Sequence, residues 1–146
     1  MDVEAGLIEV NRFLYGTTAR GGGYGGGTFY HITATGDEKV LYHFGKGSDG
    51  ANPHAGVFAV NGTFYGTTVD GGASKQGTVF SIVVTAGGIG QETVLHSFTG
   101  NPDGRSPFGG LVDVNGTLYG TTFGGGKHQA GTVFSISPSG KEKDTA

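Results

Sequence analysis

Residues Ala55 to Thr68 read AGVFAVNGTFYGTT, and closely similar stretches recur on either side. Ala5 to Thr18 reads AGLIEVNRFLYGTT and Gly109 to Thr122 reads GGLVDVNGTLYGTT, at offsets of 50 and 54 residues. In each copy an apolar run leads to an Asn, and the Asn leads to Leu-Tyr-Gly-Thr-Thr or Phe-Tyr-Gly-Thr-Thr. A period near 50 residues is the mark of a repeat architecture in which one supersecondary unit is copied.

The correspondence continues downstream. Gly27 to Ile32 matches Gly77 to Ile82 and Gly131 to Ile136, and Glu38 to Phe44 matches Glu92 to Phe98. The longer second offset comes from the connection Val84 to Gln91, which falls between expected strands, where added length costs little. The chain therefore reads as a single repeat domain, 1–146, with units 5–54, 55–108 and 109–146. Lys141-Glu142-Lys143-Asp144 begins in register, but the last unit is expected to lack its fourth strand.

Four short strands are expected per unit. In the middle unit they are Gly56 to Val60, Thr63 to Val69, Thr78 to Val84 and Glu92 to Phe98. Asn61-Gly62 and Asn115-Gly116 separate the first two strands, a strong signal for a tight hairpin because both residues tolerate positive φ. Asn11-Arg12 stands there in the first unit, and Arg tolerates positive φ less well, so a less ideal hairpin or a different turn is expected. Glycine supplies 32 of the 146 residues without a Gly-X-Y period, which excludes collagen. No segment carries apolar residues at helical spacing with caps, so the fold class is all-β.

Four strands every 50 residues suit a propeller-like blade, with a sandwich or barrel and a β solenoid as alternatives. Closed propellers take about four to eight blades. Three units leave an open arc, and a homodimer would complete a six-bladed ring.

The formal charge of −3, with nine Lys and Arg, offers no basic footprint for nucleic acid. Cysteine is absent, which removes disulfides and thiolate metal sites. No apolar run approaches membrane-spanning length, so a soluble chain without membrane insertion is expected. The Met1-Asp2-Val3-Glu4 start lacks the features of a signal peptide, as a trimmed fragment of a secreted protein would.

Tyr15, Tyr65 and Tyr119 are expected to pack between successive sheets. Strand alternation puts Val40, Tyr42 and Phe44 on one face and Leu41 and His43 on the other. His43 and His96 then sit one motif position apart, on different faces, which argues against a shared zinc cage. The glycine clusters lack the helix and the Gly-Lys-Ser/Thr ending of a phosphate loop, and no β-to-helix context for a dinucleotide exists. No cofactor and no metal are expected. Asp49-Gly50 and Asp103-Gly104 lie in polar loops ending at Pro53 and Pro107, without the regular carboxylate spacing of a calcium loop.

Loops vary without destroying a scaffold, so they hold the ligand-facing candidates. These are Asp49, Asn52, Asp103 and Arg105 in the Asp-Gly loops, or Tyr24, Lys75 and His128 in the glycine-rich turns if the opposite end is used. A glycan is a reasonable ligand class, because aromatic rings stack on sugar faces while Asn, Asp and backbone groups bind hydroxyls. The alternative is a saccharide-active hydrolase or lyase drawing on Asp49, Asp103, Glu38, Glu92, His43 and His96 for acid-base chemistry in a central cleft.

The joint pattern of Leu118 to Thr122, Gly131 to Ile136, Glu92 to Phe98 and Asp103-Gly104 resembles the GloVer tandem repeats of choice-of-anchor bacterial proteins. The resemblance covers almost the whole chain. It implies an exported or cell-surface repeat protein, and it implies no catalytic residue set. A noncatalytic scaffold or binding module of the cell exterior is the function expected.

Overall fold

The computed structural model describes residues 5–140 and 142–144. Its elements are β-strands, with no helix among the described residues. The first sheet is formed by β1 (Ile8–Val10), β2 (Phe13–Thr18), β3 (Thr28–Ile32) and β4 (Glu38–His43). A two-residue strand, β5 (Gly50–Ala51), leads to the second sheet of β6 (Phe58–Val60), β7 (Thr63–Thr68), β9 (Thr78–Val84) and β10 (Gly90–Ser97), with β8 (Asp70–Gly71) inserted. After β11 (Gly104–Arg105), the third sheet comprises β12 (Val112–Val114), β13 (Thr117–Thr121), β15 (Val133–Ile136) and β16 (Glu142–Asp144), with β14 (Gly124–Gly125) inserted. Each four-stranded sheet is antiparallel and follows chain order.

The third unit thus has a fourth strand, contrary to expectation. β16 pairs with β15 through Phe134↔Asp144, Ser135↔Lys143 and Ile136↔Glu142. Backbone groups make the ladder, so the polar Glu-Lys-Asp segment closes the sheet edge without the apolar residues of its counterparts.

Local sequence explains the hairpins. Asn61 and Gly62 take φ of 51° and 79°, and Asn115 and Gly116 take 52° and 85°, as a two-residue turn matched to strand twist requires. Asn11 and Arg12 adopt the same turn at 52° and 70°, so of the two alternatives the hairpin is kept, with an arginine in the left-handed region, and no different turn forms. The pairing of Val10 with Phe13 fixes the loop at two residues. Glu9 Oε1 accepts the Arg12 N–H at 2.6 Å, which offsets a left-handed penalty of about 1–2 kcal/mol.

Packing between the sheets supplies the cores. Tyr15, Phe29, Leu41 and Phe44 of the first unit close on Val57, Phe64, Phe80 and Ile82 of the second. Tyr65, Val79 and Phe98 of the second close on Leu111, Leu118, Phe134 and Ile136 of the third. The expectation for the tyrosines holds for Tyr15 and Tyr65, 8% and 9% exposed, but Tyr119 is 39% exposed on the outward face of the last sheet. No further sheet among the described residues covers that face.

The Tyr-Gly-Thr-Thr wording now has a physical reading. A Cβ on Gly66 would lie 2.6 Å from Phe80 Cζ, and one on Gly120 would lie 2.5 Å from Phe134 Cζ. The glycine is the seat of the aromatic ring on the next strand. The second threonine bonds across the sheet, with Oγ1 separations of 2.9 Å for Thr18 and Thr28, 2.7 Å for Thr68 and Thr78, and 2.9 Å for Thr122 and Thr132. The first threonine reaches the next unit: Thr17 donates to the Ala55 carbonyl at 3.1 Å and Thr67 to the Gly109 carbonyl at 3.0 Å.

The Asp-Gly loops and the glycine-rich turns are not at opposite ends. β5 pairs with β8, and β11 with β14, so each loop is hydrogen-bonded to the glycine-rich turn of the following unit. Gly50 and Gly104 lie against the buried threonine pairs Thr68/Thr78 and Thr122/Thr132, and a side chain there would collide with them. Short straps therefore tie neighbouring units together.

Gly66→Ala should destabilise the chain by about 1–3 kcal/mol, the range for forcing an extra carbon into a packed core. Gly87→Ala, where the nearest atom to a new Cβ is Thr85 Oγ1 at 3.9 Å, should be close to neutral. Urea unfolding followed by circular dichroism distinguishes them, and equal midpoints would remove the ring-seat explanation.

Candidate functional site

The fourth strand of each of the first two units does not keep strict alternation. Tyr30 pairs with Val40 while Phe29 pairs with Tyr42, leaving Leu41 as an extra residue. Phe80 pairs with Val94 while Val79 pairs with His96, leaving Leu95 extra in the same way. Such a bulge re-aims the side chains around it. Val40 and Tyr42 consequently lie on opposite faces, not on the shared face expected from alternation, and Tyr42 and His96 both turn toward the next unit.

At the junction of the first and second units, the Tyr42 hydroxyl donates to Asp49 Oδ2 at 2.9 Å and lies 3.5 Å from Glu92 Oε2. Gly45 N–H adds a bond to Asp49 Oδ2 at 3.2 Å. Burial raises the Asp49 carboxyl above its ordinary value, against the lowering effect of the bonds from Tyr42 and the loop backbone. Burial, and then the neighbouring Asp49 charge, push Glu92 up to about 8. Burial, followed by the charge of Glu92, also holds the Tyr42 hydroxyl protonated far above its usual range. Asp49 Oδ1 and Glu92 Oε1 are buried without another donor. Burial and the Asp49 charge therefore favour the protonated form of Glu92 at this junction.

The second junction repeats the plan with one exchange. His96 occupies the position of Tyr42, Asp103 that of Asp49 and Glu142 that of Glu92. His96 Nε2 lies 3.0 Å from Asp103 Oδ2 and 3.8 Å from Glu142 Oε2. Asp103 is held by the Thr99 N–H at 2.9 Å on Oδ2 and the Gly104 N–H at 2.8 Å on Oδ1. One ligand atom from each of His96, Asp103 and Glu142 falls within 4.8 Å of the others, so these three can hold a metal ion. His43 plays no part in that group: it is exposed and its Nδ1 accepts the Gly23 N–H at 3.0 Å.

The structure places the sequence candidates in two groups. Asp49 and Asp103 belong to the junctions just described. Asn52 also bridges units, donating its N–H to the Gly26 carbonyl at 2.7 Å and its side-chain amide to the Ala19 carbonyl at 2.8 Å. The Arg105 guanidinium lies over Gly124, where an added Cβ would sit 2.9 Å from its Cζ. Lys75 Nζ donates to the Gly47 carbonyl at 3.0 Å, tying turn to loop. Tyr24 and His128 are exposed on the glycine-rich turns. Tyr24 lines a cleft of about 290 Å³ with Leu41, Tyr42, His43, Lys46, Ile89 and Gly90, and Lys46 Nζ stands 5.8 Å from its ring centre. Glu38 is exposed and outside both carboxylate groups. Glu142 was missed by sequence reasoning, although its register with Glu92 was the available signal.

The chain matches the Gloeobacter/Verrucomicrobia repeat over residues 2–146. It belongs to that repeat family. Neither a curated protein nor a solved structure matches it. The family match accounts for the recurrence of strands, straps and junctions in this Gloeobacter/Verrucomicrobia repeat protein, and it carries no assignment of the junction residues.

The raised Glu92 carboxyl makes stability pH-dependent. The folded value of Glu92, about 8, lies above its ordinary 4.5, so its contribution is complete below the ordinary value and is lost as pH rises through the folded one. The thermal midpoint should fall between about pH 5 and 8 for this reason. Glu92→Gln, which stays neutral and keeps a donor, should flatten that slope in a calorimetric pH series; an unchanged slope would show that Glu92 holds no proton there.

Proposed function

We propose that this protein is a noncatalytic scaffold of the bacterial cell exterior, built to assemble by stacking its units and to present ligand-facing side chains at their loop end. The observation that carries the reading is the recurrence of one junction plan, with His96 in place of Tyr42, at both internal boundaries. Residues suited to acid-base work are engaged by neighbours: Asp49 and Asp103 by Tyr42 and His96 of their own units, and Glu92 and Glu142 by the same two side chains reaching across the boundaries. The exterior setting follows the resemblance of the motifs to choice-of-anchor repeats.

The units act as propeller blades, and two copies close a six-bladed ring. Two faces support this. On the third sheet Tyr119, Val133, Val112 and Val114 are 39%, 40%, 61% and 50% exposed, and they occupy the positions of Tyr65, Val79, Phe58 and Val60. Those positions bury against the following unit at the internal junction. On the first sheet Leu14, Tyr30 and Ile32 occupy the positions of Phe64, Phe80 and Ile82, which fill the preceding junction. One face is the complement of the other, so a second copy related by a two-fold axis covers both. Light scattering should give a dimer at micromolar concentration, and Val133→Asp should give a folded monomer. A folded wild-type monomer across that range would overturn the ring.

A saccharide is the ligand this reading assigns to the cleft beside Tyr24. The Tyr24 ring is 54% exposed and offers a stacking face, with Lys46 and His43 alongside for hydroxyl groups. Calorimetric titration with cell-wall and host saccharides should detect binding that Tyr24→Ala abolishes at an unchanged thermal midpoint. Absence of binding across the panel would remove the glycan and leave the scaffold.

A further inference from the structure

We propose that His96, Asp103 and Glu142 form a binding site for a divalent first-row transition metal ion, with Zn²⁺ the best match, clamping the second unit to the third. The residues come from three separate places in the chain. His96 lies on β10, Asp103 in the loop beyond it and Glu142 on β16. The bulge at Leu95 turns His96 toward the other two. Glu142 enters only because β16 pairs with β15, setting it opposite Ile136.

The geometry fits a small ion. Nitrogen and oxygen ligands about 2.0–2.1 Å from tetrahedral zinc stand about 3.3 Å from one another. His96 Nε2 sits 3.0 Å from Asp103 Oδ2 and 3.8 Å from Glu142 Oε2, values on either side of that separation. The third pair, Asp103 and Glu142, lies within 4.8 Å, so the Glu142 carboxylate must turn inward to complete the set. The side chains of His96, Asp103 and Glu142 are 20%, 14% and 12% exposed, enough for an ion to enter and for water to take a fourth position. One imidazole with two carboxylates suits zinc and, less selectively, manganese; calcium demands more oxygen atoms.

Supporting contacts hold the ligands in place before any ion arrives. The N–H groups of Thr99 and Gly104 fix both Asp103 oxygens, and the His96 ring stands edge-on to Phe98 with centroids 4.7 Å apart. Outer contacts of this kind orient metal ligands. The sister junction gives an independent reason to expect a cation here. Two carboxyls face each other there too, and the Tyr42 hydroxyl brings no charge of its own, so the protonated form of Glu92 is favoured. His96 replaces that hydroxyl with a ring nitrogen whose lone pair can bind a metal.

The test is calorimetric titration of metal-stripped full-length protein with ZnCl₂ and MnCl₂, with thermal midpoints measured in parallel. The expected result is one Zn²⁺ per chain at micromolar affinity, a raised midpoint and weaker binding of Mn²⁺. His96→Tyr restores the residue that the first junction already accommodates, and it should abolish the site while the circular dichroism spectrum is kept. If that variant fails to fold, Glu142→Gln provides the comparison, with affinity reduced by more than about 10-fold. No saturable Zn²⁺ binding, or binding that neither substitution changes, would overturn the proposal and assign any residual zinc to the remaining histidines.

Discussion

A four-stranded antiparallel sheet with strands this short has two faces and no core of its own. Everything in the chain answers to the need to cover those faces with a neighbouring sheet. Phe29, Phe44, Phe80, Phe98 and Phe134 are wholly buried, and all five lie where one unit meets another. At about 25 cal/mol for each Å² of apolar surface removed from water, rings of this size dominate the gain. The glycine of Tyr-Gly-Thr-Thr follows from the same need, because Phe80 and Phe134 reach their depth only where the adjacent strand carries no Cβ. A side chain at Gly66 would lift the ring out of the junction and loosen two units at once.

Directional bonds fix the order of stacking, which apolar burial alone would leave undetermined. Thr17 and Thr67 each reach forward to a carbonyl of the next unit, and the two-residue pairings β5 with β8 and β11 with β14 add backbone bonds at the loop end. Asn52 and Ser106 stand at equivalent points and both adopt positive φ, 61° and 54°. Each uses its backbone to join the preceding and following glycine-rich segments. The straps thereby specify which face meets which, and they do so with residues that sequence inspection assigns to ordinary surface loops.

The strands, the hairpins and the period were legible in the sequence because they depend on local chemistry: Asn-Gly pairs, alternating apolar residues and repeated wording. The junction chemistry was not. Its organisers are the bulges at Leu41 and Leu95, which add a residue without any glycine or proline to announce them. Strict alternation therefore put Tyr42 on the wrong face relative to Val40. The polar composition of the last strand hid Glu142 in a similar way, since a ladder formed by backbone groups leaves little trace in side-chain pattern. Position within the repeat was the usable signal: Glu92 and Glu142 are equivalent, and so are Asp49 and Asp103.

The polar groups of the two junctions then differ by a single exchange, Tyr42 for His96, and that difference decides what each can hold. Facing carboxyls in a half-buried setting repel one another unless positive charge is shared between them. Tyr42 bonds to one carboxylate as a donor and brings no charge, so burial and the Asp49 charge raise the Glu92 carboxyl and favour its protonated form. His96 offers either a hydrogen or a lone pair to the same place, and a cation other than a proton can then satisfy both carboxylates. A repeat protein can in this way keep one packing scheme throughout while giving each boundary its own chemical dependence, one on acidity and one on metal. The apolar core need not change for that to happen, because Phe44 and Phe98 remain equally buried beside Tyr42 and His96.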